Sequence, residues 1–134
     1  MGIFGKQIGN PTASGVGLPV GTKVYRALLE AGDPGVATVI ENTLGESPTW
    51  IKDTAGRYYT QFDTIPGPFT ANKTFVMATF ATSSVPGTNV PAYITAFRVS
   101  DSIVQIETYC IDADAVWTLG DWAGQVAIQI LVYP

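Results

Sequence analysis

From residue 22 onward, apolar and polar positions run in short stretches that glycine, proline and aspartate interrupt. QVAIQILVY (125–133) gives the plainest alternation, with Val126, Ile128, Ile130 and Val132 on one face of a strand. TKVYRALLE (22–30) has the composition of a short helix. It lacks a 3.6-residue apolar period, however, and Val24 and Tyr25 favour a strand. VATVIENT (36–43) follows the turn Asp33-Pro34-Gly35, and TWIKD (49–53) with RYYTQFD (57–63) predicts a hairpin about Thr54-Ala55-Gly56. KTFVMATFA (73–81) is apolar enough to predict a strand covered on both faces. AYITAFRVS (92–100) and IVQIETYCID (103–112) predict a hairpin turning on Asp101-Ser102, and ADAVWTLGDWAG (113–124) reads as a turn.

This spacing predicts an all-β domain over 22–134, an antiparallel sandwich of about eight strands. A jelly-roll-like order is expected, with another Greek-key order as the alternative. The inward set is expected to be Phe75 or Phe80, with Phe97, Val104, Ile106, Val126, Ile128 and Ile130. The loops 64–72 and 83–91 carry prolines and stand outside any interior strand.

Residues 1–21 fit neither template. Their glycines disfavour a helix, no alternation marks a strand, and Lys6 is the single charge. Yet Ile3, Phe4, Ile8, Val16, Leu18 and Val20 are apolar. Ordering such a segment costs about 1–2 kcal/mol per residue in backbone entropy, which only burial against a large surface offsets. An extended assembly arm is therefore expected. Phe4, Ile8, Val16 and Leu18 are its contact residues, and Pro11 and Pro19 set its extended geometry. Glycines break the apolar residues of this segment, so it does not read as a secretory signal.

Charge changes the picture most. Charged residues make up 13% of the 134-residue chain, against about 25% in ordinary soluble domains. A surface this poor in charge fits coverage by neighbours better than free solvation. The net charge of −4, with dispersed bases, argues against nucleic acid. No stretch approaches the ~18 consecutive apolar residues of a membrane span.

Candidate chemistry is sparse. The absence of histidine removes the commonest general base and metal ligand, and with them any Ser-His-Asp or Cys-His pair. One cysteine and no histidine do not make a zinc site. Cys110 lies in an apolar run and reads as a buried free thiol. No cofactor, metal or catalytic residue is expected. Asp112, Asp114 and Asp121 offer three oxygens for Ca²⁺, against the plainer reading of aspartates capping turns. Glu41 and Glu107 are a candidate carboxylate pair that nothing else favours. Trp50, Trp117, Trp122, Tyr58, Tyr59 and Tyr93 are either a sugar-stacking platform or sandwich core. Tyr58 and Tyr59 are adjacent on one strand and must point to opposite faces, so this pair marks a possible surface contact.

The stretch from YRALL through ENTLG (Glu41–Gly45), Trp50, Gly56 with Tyr58, and Asn72-Lys73-Thr74 resembles a β-rich segment of small phage and phage-like virion-associated proteins, a mostly uncharacterised family. The resemblance covers residues 22–80 and supplies no active-site residue. It implies a structural virion component: a capsid decoration, head-fibre or capsid-associated subunit, assembled in the host cytoplasm and extracellular as part of the particle. The expected partners are its own copies, as a homo-oligomer of trimer size or larger, and other virion proteins. The alternative is a small carbohydrate- or receptor-binding module using the loops 64–72 and 83–91.

Overall fold

A computed structural model describes residues 17–81, 91–111, 114–122 and 124–134. Nine antiparallel strands form among them: β1 (Lys23–Glu30), β2 (Val36–Asn42), β3 (Thr49–Thr54), β4 (Arg57–Gln61), β5 (Thr74–Phe80), β6 (Pro91–Arg98), β7 (Val104–Ile111), β8 (Trp117–Leu119) and β9 (Gln125–Val132). The first sheet has the order β2-β1-β9-β5, and the second β3-β4-β7-β6 with β8 beside β7. The result is an all-β, sandwich-like fold in which the hairpins β1–β2, β3–β4 and β6–β7 each stay within one sheet.

One core joins the sheets. Tyr25, Ala27 and Leu29 of β1 with Val126, Ile128 and Ile130 of β9 meet Trp50, Tyr58, Val104 and Ile106 of the second sheet. Period-2 alternation accounts for this, because every second residue of each strand faces the partner sheet. The two largest polar-tipped rings in the core are satisfied. The Trp50 indole N–H donates to the Tyr25 hydroxyl at 3.0 Å, and the Trp122 indole N–H donates to the Leu29 carbonyl at 3.2 Å.

Three expectations need correction. The segment 113–124, read as a turn, contains the short strand β8, which brings the strands among the described residues to nine. Phe97 is not inward. A strict two-residue turn on Asp101-Ser102 would set Phe97 opposite Ile106. Instead the Ile103 carbonyl accepts from both the Val99 and Ser100 N–H groups, and the ladder slips by one residue. Phe97 then pairs with Gln105 and turns outward. The either-or expectation for β5 is met by Phe80, which packs on the core, while Phe75 is half exposed. Finally, β5 is not covered on both faces, since Met77 beside Phe75 is also half exposed.

The resemblance residues prove architectural. Gly45, Gly56 and Asn72 adopt positive φ at turns. Asn42 bridges its own turn, donating to the Glu46 carbonyl and accepting from the Leu44 N–H. Trp50 and Tyr58 fill the core.

Candidate functional site

The carboxylates singled out as a catalytic pair lie on different sheets, and each holds its own arginine. Glu41 on β2 takes Arg26 Nη1 at 2.7 Å, and Glu107 on β7 takes Arg57 Nε at 2.8 Å. Among the described residues no group of three or more metal-ligating side chains converges. Asp112 lies outside them, and Asp121 is occupied by protein donors.

Asp121 is the best-connected of these carboxylates. Its oxygens accept from Lys52 Nζ at 2.8 Å, the Gly56 N–H at 2.7 Å and the Tyr58 hydroxyl at 3.2 Å. Burial pushes the carboxyl upward, but these donors and the Lys52 charge outweigh it and hold the group below its ordinary value. Tyr58 also accepts from the Gly32 N–H at 2.8 Å, tying the β1–β2 turn to the same centre. Gly56 is the pivot. Its φ is +77°, and a Cβ there would lie 2.5 Å from the Gly120 nitrogen and 2.8 Å from the Thr108 carbonyl oxygen. The constellation locks the β3–β4 hairpin onto β7 and β8, and its donors and acceptors are spent on one another. Tyr58 is fully buried, which removes it as a surface contact; Tyr59 is half-buried on the outer face.

Two exterior surfaces remain. Outside the first sheet, Leu28, Ala127 and Met77 line a groove of about 360 Å³ with Ile40 on its rim and Arg26 and Gln129 at one end. Ile40 is 64% exposed because the β1–β2 register shifts between Arg26 and Ala27, leaving it without a cross-strand partner. Val36 on β2, paired with Glu30, and Phe75 on β5 extend the apolar area to both edges of the sheet.

Outside the second sheet the composition is different. Cross-strand rungs read Tyr93–Tyr109, then Thr95–Glu107–Arg57, then Phe97–Gln105–Tyr59. The Tyr93 and Tyr109 rings stack with centroids 4.8 Å apart, and Trp117 of β8 sets against Tyr93 at 5.0 Å. The Tyr109 hydroxyl donates to Glu107 Oε1 at 3.1 Å, and Arg57 reaches on to Asp53 at 3.4 Å. Burial, then the Glu107 carboxylate, raises the Tyr109 phenol above its ordinary value.

Of the expected arm residues, Phe4, Ile8, Pro11 and Val16 lie outside the described residues, Leu18 is half-buried and Pro19 is exposed. The Pro19 carbonyl accepts from the Thr22 N–H and hydroxyl, and Gly21 passes beside Pro134. The chain thus enters at the Lys23–Val132 end of the first sheet. Of the binding loops, 83–90 lie outside the described residues. Loop 64–72 closes one end of the core through buried Phe69, whose N–H donates to the Asp101 carbonyl at 2.9 Å. Among the six aromatics read as platform or core, Trp50, Trp122 and Tyr58 are core, while Trp117 and Tyr93 stand outside. Residue types alone do not mark Tyr109, Arg57 and Phe97 as surface neighbours of these two. The odd positions of β7 (Gln105, Glu107, Tyr109) carry the signal, once the hairpin register is known.

No protein-family model matches the chain, and neither the curated proteins nor the solved structures yield a match.

Proposed function

We propose that the protein is a non-catalytic structural subunit, of the virion-associated kind that residues 22–80 resemble, and that it assembles through the outer face of its first sheet. The observation that carries this reading is the apolar groove of Leu28, Ile40, Met77 and Ala127, exposed in a chain with only 13% charged residues. Covering such a surface gains about 25 cal/mol per Å² of apolar area, and no desolvated charge opposes it along the groove floor. The occupant is residues 2–16 of a second copy. Those residues supply Ile3, Phe4, Ile8 and Val16, and they join the domain at the end of the sheet that bears the groove. Fifteen extended residues span up to roughly 50 Å, enough to reach a neighbouring subunit.

Light scattering on the full chain, on a chain lacking residues 2–16 and on Met77→Asp tests this. The full chain is expected to run as a trimer or larger, and both variants as folded monomers by circular dichroism. A full chain that is monomeric at all concentrations, or a truncated chain that assembles unchanged, overturns it.

A further inference from the structure

The outer face of the second sheet stands apart from the groove of the first and is independent of how that groove is covered. We propose that it binds a neutral oligosaccharide, with Trp117, Tyr93 and Phe97 as stacking surfaces and Arg57, Glu107 and Thr95 as the polar rung between them.

Composition argues first. Trp117, Tyr93 and Phe97 are 49%, 40% and 39% exposed, an unusual concentration of rings on one small face. Aromatic faces carry negative quadrupole charge, and the C–H face of a pyranose presents partially positive hydrogens to them. The rings are also held in place. Tyr93 stacks on Tyr109 and itself sets against Trp117, so little ordering entropy is left to lose on binding.

Spacing argues next. The rung Tyr93–Tyr109 and the rung Phe97–Gln105–Tyr59 are four residues apart along β6, which is about 13 Å. Between them lies Thr95–Glu107–Arg57, a hydroxyl, a carboxylate and a guanidinium. A chain of several sugar rings would meet aromatic, polar and aromatic surface in turn, whereas a single ring meets only one rung.

Charge settles the class. Arg57 is matched by both Glu107 and Asp53, so the strip has no positive surplus to attract sulfate or uronate, and the whole chain carries −4. Glu107 is 9% exposed and already accepts from Arg57 and Tyr109. A flat protein partner would have to desolvate this ion-paired rung, while sugar hydroxyls exchange hydrogen bonds with it.

The test is intrinsic fluorescence of the full-length protein, titrated with hexasaccharides of β-1,4-glucose, β-1,4-xylose, α-1,4-glucose and β-1,4-N-acetylglucosamine. Trp50 and Trp122 are buried, so Trp117 is the tryptophan a surface ligand reaches. At least one hexasaccharide is expected to give a saturable change, with the matching monosaccharide at least about tenfold weaker. Trp117→Ala and Tyr93→Ala, followed by native gels containing the corresponding polysaccharide, are each expected to lose retardation while keeping the wild-type far-ultraviolet spectrum. The proposal is overturned if no hexasaccharide produces a response, if heparin or polygalacturonate binds more tightly than every neutral chain, or if folded Trp117→Ala and Tyr93→Ala bind as wild type. It is equally overturned if these variants change only the assembly mass, which would make the strip a protein interface.

Discussion

On the outside of β1, β9 and β5 the chain places Leu28, Ala127 and Met77; on the outside of β4, β7 and β6 it places Arg57, Glu107 and Thr95. Beneath both surfaces the inner faces are alike, with Ile128 and Ile130 on one side and Val104 and Ile106 on the other. The shared inner pattern accounts for the fold, and the outer patterns separate two tasks. Covering the first face removes apolar area from water and is favourable almost regardless of the partner's detail. Covering the second means desolvating an arginine and two carboxylates, which is worthwhile only for a ligand that replaces their hydrogen bonds. On the two proposals above, the first face takes a neighbouring chain and the second an oligosaccharide that leaves the rung partly wet.

The largest expected effect bears on the rigidity of the second face. Gly56→Ala forces a side chain onto the Gly120 and Thr108 backbone at a φ of +77°, and neither obstacle is a flexible side-chain end. We expect a loss of at least about 3 kcal/mol in urea unfolding, in the range of strained backbone and broken hydrogen-bond networks. A loss below 1 kcal/mol would show that the hairpin is free to move and that the ring platform is not held from beneath.

The next largest effect separates inside from outside. Ile130→Ala and Ile106→Ala, one on each inner face, should each cost about 2–5 kcal/mol. Phe75→Ala and Phe97→Ala, one on each outer face, should each cost about 1 kcal/mol or less. Equal losses for Phe97→Ala and Ile106→Ala would mean that the β6–β7 ladder is paired one residue away, with Phe97 inside.

That register is where sequence reading reached its limit. Apart from β8, the strands, their approximate bounds and the buried alternation of β7 and β9 are legible because period 2 is written in Val104, Ile106, Val126, Ile128 and Ile130 themselves. The position of Phe97 is not, because it depends on which backbone groups close the turn at Ser100–Ser102, a one-residue choice invisible in residue types. β8 was missed for a related reason. Three residues carry too little alternation, and only pairing with β7 makes Trp117–Leu119 a strand. The candidate surfaces were half legible. Trp117 and Tyr93 stood out as large rings, but their meeting with Tyr109, Glu107 and Arg57 is a product of three ladders. Asp121, read as a turn aspartate or calcium ligand, became the anchor of Lys52, Gly56 and Tyr58 through contacts more than sixty residues apart in sequence.

The smallest expected effect tests whether that anchor works as an ionised group beneath the second face. Asp121 has a folded-state pKa held below its ordinary value, so its contribution is complete above the unfolded value of about 4 and is lost as pH falls through the folded value. The Lys52 hydrogen bond to Asp121 raises the ammonium, so that contribution is complete below about 10.4 and is lost as pH rises through the higher folded value. Asp121→Asn keeps the shape and removes the charge, leaving the Gly56 N–H and Tyr58 hydroxyl with a neutral acceptor. We expect the variant to be less stable than wild type across the neutral range by a constant margin, because neither group titrates there. The margin should shrink as the pH is lowered below about 4, where protonation makes the wild-type carboxyl neutral as well. Melting temperatures of the pair from pH 2 to pH 8 measure this directly. A margin that stays constant down to pH 2 would mean that Asp121 holds Gly56 and Tyr58 by shape alone, leaving the hairpin lock independent of charge.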